Sequence, residues 1–560
     1  MALARASPLA AGPTAGSGTS MLDQLPDHVL LELCCHLSGR DLAMLEAVAR
    51  QFRRESCQAQ IGSRGTVTVA ELGAERRLRA HVQAWRLEAR PAESWKYVLS
   101  LLEGGLLAPL PVVSAGSDHT LVRTAAGRVF AFGKNDAQQL GLGGTAEATD
   151  YGWNEDGNRN ACEASPREVV RLRDQSVVSV SAGCQHSVAL TQDGSLLTWG
   201  CSTVMHGPVD LVNRGLLGHG PEPAGFHVVA APRPVLAGFP HGTRVALVVA
   251  GECHTLCVTA LGQVFSWGKG SEGLGHGDEQ DQHTPRRVEA LTEQRVVDVD
   301  CDVGISVAVT AAGGLFAWGP RSEDSYPLPE QVNFPGGQKI RRASCSGARG
   351  FHIGAVDTEG VLYMWGEGEY YSLGHGGEDY EWTPRAVAAL AGKQVATVRC
   401  GSLHTAALTM DGHLYTWGGT EAIHRNTYYV EYLGHYPAAP SCSSDDEEFE
   451  DALQMELAMH GELPARVTEF HPDGMDHRGL HFTPMMAVAA VREVSCGFRH
   501  TVVVTTGGEV CTFGCGCSGR LGHGAIGDGG AVVIGDGPWP WETRSLDIVL
   551  PTRLRCSLTM

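Results

Sequence analysis

Histidine and cysteine are the side chains of this 560-residue chain best suited to chemistry, and it carries 24 and 17 of them. Cys511, Cys515, Cys517 and His523 have the ligand types of a zinc site, but their spacing fits no compact four-ligand pattern. His119, His186, His254, His404 and His500 each close a Gly-x-x-His phrase. Proton transfer or metal binding needs such groups to converge on one point. One histidine per recurring phrase instead points to a structural role inside each unit. Leu217-Gly218-His219-Gly220, Leu274-Gly275-His276-Gly277, Leu373-Gly374-His375-Gly376 and Leu521-Gly522-His523-Gly524 are glycine-rich. They lack the Lys-Ser/Thr pair and following helix that let a loop hold phosphate. No Ser/His/Asp set stands out. The expectation is a non-enzyme with no catalytic residue, cofactor or metal.

The phrase that carries those histidines repeats. Its closing Trp/Phe-Gly pair falls at Phe132-Gly133, Trp199-Gly200, Trp267-Gly268, Trp318-Gly319, Trp365-Gly366, Trp417-Gly418 and Phe513-Gly514, which makes seven copies. The fifth copy is stretched, with Gly347 and His352. The fourth has Asp302 and Ile305 where Gly and His would stand. Within a copy, short β-prone runs are separated by Asp-Gly turns such as Asp193-Gly194 and Asp411-Gly412, suited to tight hairpins. A Pro-Arg pair, as at Pro166-Arg167, Pro285-Arg286 and Pro384-Arg385, is expected to open a last short strand. Four short strands per copy, seven times over, make a mainly β chain with few exposed edges once the ring closes. The final strand near Pro551 to Leu554 is expected to complete a blade with strands of the first copy. Trp199, Trp267, Trp318, Trp365 and Trp417 are read as core, beside the histidines, as structural repeat residues.

In order, Val-x-x-Val-x-x-Gly-x-x-His-Thr, Asp-Gly-x-Leu-Tyr-x-Trp-Gly, Leu-Gly-His-Gly and Pro-x-x-Val resemble the regulator-of-chromosome-condensation repeat. The resemblance covers about residues 112 to 554 and implies a seven-bladed β-propeller. That family includes a nucleotide exchange factor for the Ran GTPase, a plant ultraviolet-B sensor and plain protein binders, so fold alone does not settle function. The plant sensor's repeats carry Gly-Trp-Arg-His-Thr. Here the middle pairs are Ser117-Asp118, Cys184-Gln185, Glu252-Cys253, Ser402-Leu403 and Phe498-Arg499, so the Trp-Arg lattice is missing.

Upstream, Val29, Leu30, Leu33 and Leu37 line one helical face. Gly39 ends that helix, Asp41 caps the next, and Leu42, Leu45, Val48, Ala49 and Phe52 form a second apolar stripe. Two short helices cannot bury both stripes on each other and need a partner. The segment, with Leu25-Pro26 ahead of it and Arg40-Asp41-Leu42 at its junction, resembles an F-box. The resemblance implies docking onto the Skp adaptor of cullin-based SCF ubiquitin ligases through Leu25, Pro26, Val29, Leu30, Leu33, Leu42, Leu45 and Val48. His28 and Phe52 depart from the usual Glu and Trp without removing apolar area. The expected order is a disordered leader over 1–20, an F-box over 21–60, a helical linker over 61–111 and the propeller over 112–554. The linker is read as two helices, one with Leu78, Val82, Trp85 and Leu87 and one with Trp95, Val98, Leu99 and Leu102.

The formal net charge is −20, and residues 21–100 nearly balance, with 11 Lys/Arg and 10 Asp/Glu. The acidity therefore sits on the repeats, which disfavours nucleic acid and suits a basic protein partner. No apolar run is long enough for a membrane-spanning helix. The singly scattered cysteines imply a reducing, cytoplasmic and/or nuclear, setting. Insertions over 144–165, 201–216 and 437–463 are expected to carry recognition. The last holds a run from Asp445 to Asp451, read as a mobile loop, with Ser443 and Ser444 before it as candidate phosphorylation sites. The leading expectation is an SCF substrate receptor, binding Skp and cullin on one side and a protein substrate on the other. A general interaction scaffold ranks second, and an exchange factor or photosensor last.

Overall fold

The computed structural model describes residues 58–60, 66–68, 112–143, 162–205, 211–221, 228–321, 324–347, 351–418, 465–466, 469–470, 486–487, 490–514, 520–521 and 548–553. The leader, the F-box-like residues from Leu25 to Phe52, the expected linker helices and the acidic stretch with Ser443 and Ser444 lie outside these.

The chain divides after Arg86 into two units. In the first, Gln58–Gln60 pairs antiparallel with Thr66–Thr68, Ala59 facing Val67. Thr66–Thr68 falls within the expected linker but ahead of its two expected helices, which lie outside the described residues. Thr66-Val67-Thr68 is wholly β-branched, and such side chains favour a strand over a helix.

The second unit holds seven four-stranded antiparallel sheets in succession. Their first strands are Val112–Ala115, Val177–Ala182, Val245–Ala250, Val296–Asp302, Ile340–Ser346, Val395–Cys400 and Val491–Cys496. These innermost strands touch their neighbours in sequence, and Val491–Cys496 touches Val112–Ala115, which closes the ring. Each second strand starts at the repeat histidine, or at Ile305 in blade 4, and is buried along its whole length because sheets cover both its faces. Each third strand contains the Trp/Phe-Gly pair. The fold is a mainly β, seven-bladed propeller.

The core lies between blades. Leu121, Val129 and Ala131 of blade 1 pack with Val180, Ala189 and Trp199 of blade 2. The closing junction sets Val113, Val122 and Phe132 against Val502, Val504 and Val510 of blade 7.

Three local expectations are corrected. The last strand, Ile548–Arg553, pairs with Val510–Gly514 of the seventh copy, not with the first. Blade 1 supplies all four of its own strands, so it has no vacancy to fill. The Pro-Arg pairs lie inside the fourth strands rather than opening them. Pro166, Pro285 and Pro384 sit where pairing with the third strand shifts register. A residue with no N–H is tolerated at a bulge in an edge strand. In the Asp-Gly turns only glycine is left-handed, as at Gly194 (φ 82°), with its N–H bonded to the Thr191 carbonyl. Part of one insertion is regular: Thr203–Met205 pairs with Leu211–Asn213.

Because closure rests on inner-strand packing, Phe132→Ala at the closing junction is expected to cost about 3–5 kcal/mol in chemical denaturation. Truncation after residue 547, which among the described residues removes only the rim strand Ile548–Arg553, is expected to cost less. The opposite ranking would place closure in the terminal strand.

Candidate functional site

The repeat histidines do not point into a common site. Each reaches the next blade. His119 Nε2 lies 2.8 Å from Ser187 Oγ, His186 Nε2 2.9 Å from Thr255 Oγ1, and His254 Nε2 2.9 Å from Ser306 Oγ. His352 is 3.2 Å from Thr405, His404 2.8 Å from Thr501, and His500 2.8 Å from Thr120. The role expected inside each unit is thus one between units.

Donor and acceptor roles follow from the next bond. Ser187 Oγ donates to the Gln139 carbonyl at 2.7 Å, and Trp199 Nε1 donates to the same oxygen at 2.8 Å. Ser306 and Trp318 share the Gly273 carbonyl, and Thr405 and Trp417 share that of Ser372. A hydroxyl has one proton. With it committed to a carbonyl, the oxygen must accept from His, so the neutral imidazoles of His119, His254 and His352 carry their proton on Nε2. Burial agrees: it pulls His119 down to about 4, His186 to about 3 and His404 to about 4, and His500 well below the ordinary range. The glycine of Gly-x-x-His is needed because the ring packs on its Cα. A Cβ on Gly183 would stand 2.7 Å from His186 Cε1 and 2.4 Å from the Gly251 carbonyl oxygen.

The fourth copy now has an explanation. Ile305 replaces the donor, and Ile353 replaces the hydroxyl at the matching place in the following blade. Both are buried in one apolar cluster. Donor and acceptor are lost together, so no polar group is stranded.

A second set of contacts was not anticipated. On the inner strands, opposite the second residue after the repeat histidine, Ser114, Ser181, Ser344 and Ser495 each accept the backbone N–H of the adjoining blade, from Ala182, Ala250, Cys400 and Ala115 at 2.9–3.0 Å. The recurrence of serine at that place was the available signal. The inner strands of blades 4 to 7 are charged. Asp298 pairs with Arg342 at 3.2 Å. Asp300 accepts from Ser344 Oγ at 2.5 Å, and Asp302 from Ser346 Oγ at 2.7 Å. Burial lifts Asp300 to about 6 against the pull of Arg399, and lifts Glu493 against Arg492 and Arg399. These groups hold blades to one another. Cys301, Cys345, Cys400 and Cys496 occupy equivalent places one residue further on. Burial raises all four thiols, Cys496 to about 12, so they are protonated and unreactive.

Among the described residues no group of three or more His/Cys/Asp/Glu could hold a metal ion. Cys511 is buried in its strand, while Cys515, Cys517 and His523 lie outside the described residues. Of the insertions expected to carry recognition, the hairpin at 203–213 is placed, with Asn213 Oδ1 accepting from Ser202 Oγ at 2.8 Å and the Gly215 N–H at 2.9 Å. The Skp-docking residues Leu25, Pro26, Val29, Leu30, Leu33, Leu42, Leu45 and Val48 are outside the described residues. What the described propeller offers is therefore a closed ring whose repeat histidines are committed to joining blades.

The comparisons agree on the repeat. The regulator of chromosome condensation (RCC1) repeat matches residues 126–190, 262–309 and 359–408, and a second form of it matches 177–204. Each longer match begins at the third strand of one blade and ends in the second strand of the next, so the sequence unit spans a junction. The chain carries RCC1 repeats on an RCC1-type propeller. It is 32% identical over 323 residues to the human E3 ubiquitin-protein ligase HERC2, 56% of this chain but 6% of that protein's length. It is 29% identical over 423 residues to the ultraviolet-B receptor UVR8 of Arabidopsis thaliana, covering 74% of this chain and 78% of the receptor. Among solved structures, Prp20p from Saccharomyces cerevisiae aligns with a TM-score of 0.52 at 19% identity over 77% of this chain and 86% of that one. Human WBSCR16 aligns at 0.50 and 24%, over 70% and 85%. These two likenesses are of fold.

Two outcomes follow. Ile305→His alone places an imidazole N–H opposite an apolar side chain and should cost about 1–3 kcal/mol. Adding Ile353→Thr supplies the acceptor but leaves Asp302 where the ring needs a glycine, so it should recover only part of that loss, and adding Asp302→Gly should recover more, read as coupling energies in a mutant cycle. For pH, the buried histidines have folded-state values below the unfolded 6.5, so the unfolded chain binds more protons between pH 6.5 and 4. Stability should fall as pH drops through that window, by about 1.4 kcal/mol per unit per histidine once the unfolded imidazole is mostly charged. Asp300 and Glu493 act in the opposite sense and are outnumbered. Urea titrations from pH 7 to 4 that show flat or rising stability would contradict this.

Proposed function

We propose that this protein is the substrate-recognition subunit of an SCF-type ubiquitin ligase and catalyses nothing itself. The observation that carries the reading is the F-box-like stretch from Leu25 to Phe52 ahead of a propeller whose interior histidines are committed to joining blades. Docking would use Leu25, Pro26, Val29, Leu30, Leu33, Leu42, Leu45 and Val48, and the propeller's loops and rim would hold the substrate. RCC1-type propellers recur in protein-binding settings, and the relative HERC2 is an E3 ubiquitin-protein ligase. A general interaction scaffold is the second reading, and it needs no adaptor. Nucleotide exchange would leave the F-box-like segment unexplained, and photosensing would lack the Trp-Arg lattice. A reducing, cytoplasmic or nuclear location fits an SCF subunit.

Wild-type protein should co-purify with Skp, and Leu25→Ala/Pro26→Ala protein should lose most of it, because buried apolar anchors are worth about 1–4 kcal/mol each. Undiminished recovery would remove the SCF reading and leave the scaffold. A fluorescent-nucleotide assay should show no accelerated release from Ran.

A further inference from the structure

Blade 5 departs from its siblings at one corner of its rim. In blade 1 the residue after the Phe-Gly pair is Lys134, and its ammonium lies 3.0 Å from Asp136 and 3.7 Å from Asp118. Blade 3 has Lys269 at that place. Blade 5 has Glu367, with Glu369 where blade 1 has Asp136 and Phe351 where it has Asp118. The site keeps one anion, gains a second in Glu367 in place of the lysine, and exchanges the other aspartate for an aromatic ring. Between Arg349 and Arg385 the chain has seven Asp/Glu and no Lys or Arg.

The corner is also aromatic and open. Tyr380 and Trp382 are 50% and 56% exposed. Their rings meet edge to face at 5.9 Å, and Trp382 lies 5.9 Å from Phe351. The acidic and aromatic parts are joined. Tyr380 Oη donates to Glu369 Oε1 at 3.2 Å, and the Glu367 N–H donates to the Phe351 carbonyl at 2.7 Å. Burial and the neighbouring Glu369 charge raise the Glu367 carboxyl, the sign of a carboxylate without its counter-ion. Between them, Tyr370 and Tyr371 both hold φ 58°, left-handed backbone that bulky residues rarely adopt.

We infer that this corner, Phe351, Glu367, Glu369, Tyr380 and Trp382, is a docking surface for a Lys/Arg-bearing segment of a protein partner. A partner's ammonium or guanidinium takes the place that Lys134 fills from within blade 1, against the faces of Trp382 and Tyr380. The inference rests on reading the propeller as a protein binder and names the chemistry it would select.

The probe is a fluorescein-labelled peptide of alternating Arg and Gly, titrated into the full chain by anisotropy at about 0.1 M salt, where a Debye length of about 10 Å leaves local charge readable. Trp382→Ala leaves the net charge unchanged and is expected to weaken binding about tenfold. Glu367→Lys supplies the missing cation from within and should weaken it at least as much. Asp278→Asn/Glu279→Gln, which removes two acidic charges from blade 3, should matter little, and unchanged thermal melting checks that each variant is folded. The inference is overturned if wild type does not bind, if Trp382→Ala and Glu367→Lys bind as wild type does, or if the blade 3 variant loses as much. Leu25→Ala/Pro26→Ala protein should retain the peptide even if it never binds Skp, so failure here and failure of the SCF reading are separable.

Discussion

Everything in the ring depends on one constraint: a polar group buried between two sheets must find its partner on the other sheet. An imidazole, a hydroxyl, an indole N–H and a turn carbonyl meet at the blade 1–2 junction with no donor or acceptor of that set spare, apart from the bare imidazole Nδ1. Leaving any one unmatched costs about 1–3 kcal/mol, a large share of the marginal stability of a folded domain. The same constraint explains why the motif glycine must lack a Cβ, why burial keeps the imidazole neutral, and why Ile305 and Ile353 stand at the same junction. The repeat is a recipe for a joint between blades, which is why the matched sequence unit straddles two of them.

This constraint also decides what the histidines are for. A neutral imidazole with its Nε2 proton given to a hydroxyl is unsuited to transfer that proton, and its ring is shut away from solvent. The chemistry of the interior is thereby spent on architecture. The docking we infer uses a surface the joints leave open, the aromatic and acidic corner of blade 5.

Much of the fold was legible in the residues. The seven Trp/Phe-Gly pairs counted the blades, and the four-strand reading held in each copy. What was misread involved partners distant in sequence. One histidine per copy looks the same whether it bonds within its own blade or to the next. Pairing of the last strand is equally open, because Ile548–Arg553 would suit either a first or a seventh blade by composition; only the complete set of four strands in blade 1 decides it. The blade 5 corner was hidden because its signal is a difference between copies, Glu367 against Lys134 and Lys269, and not a feature of any one copy.

The account stands or falls on the protonation state of the joint histidines. Selective ¹⁵N-histidine labelling with long-range proton–nitrogen correlation reads it directly. At pH 6, where a free imidazole is mostly charged, His119, His186 and His404 should appear as neutral rings, given folded-state values of about 4, about 3 and about 4, and His119 should carry its proton on Nε2. Imidazolium signals from these residues at that pH, or a proton on Nδ1 of His119, would contradict the joint and reopen the histidines as functional groups.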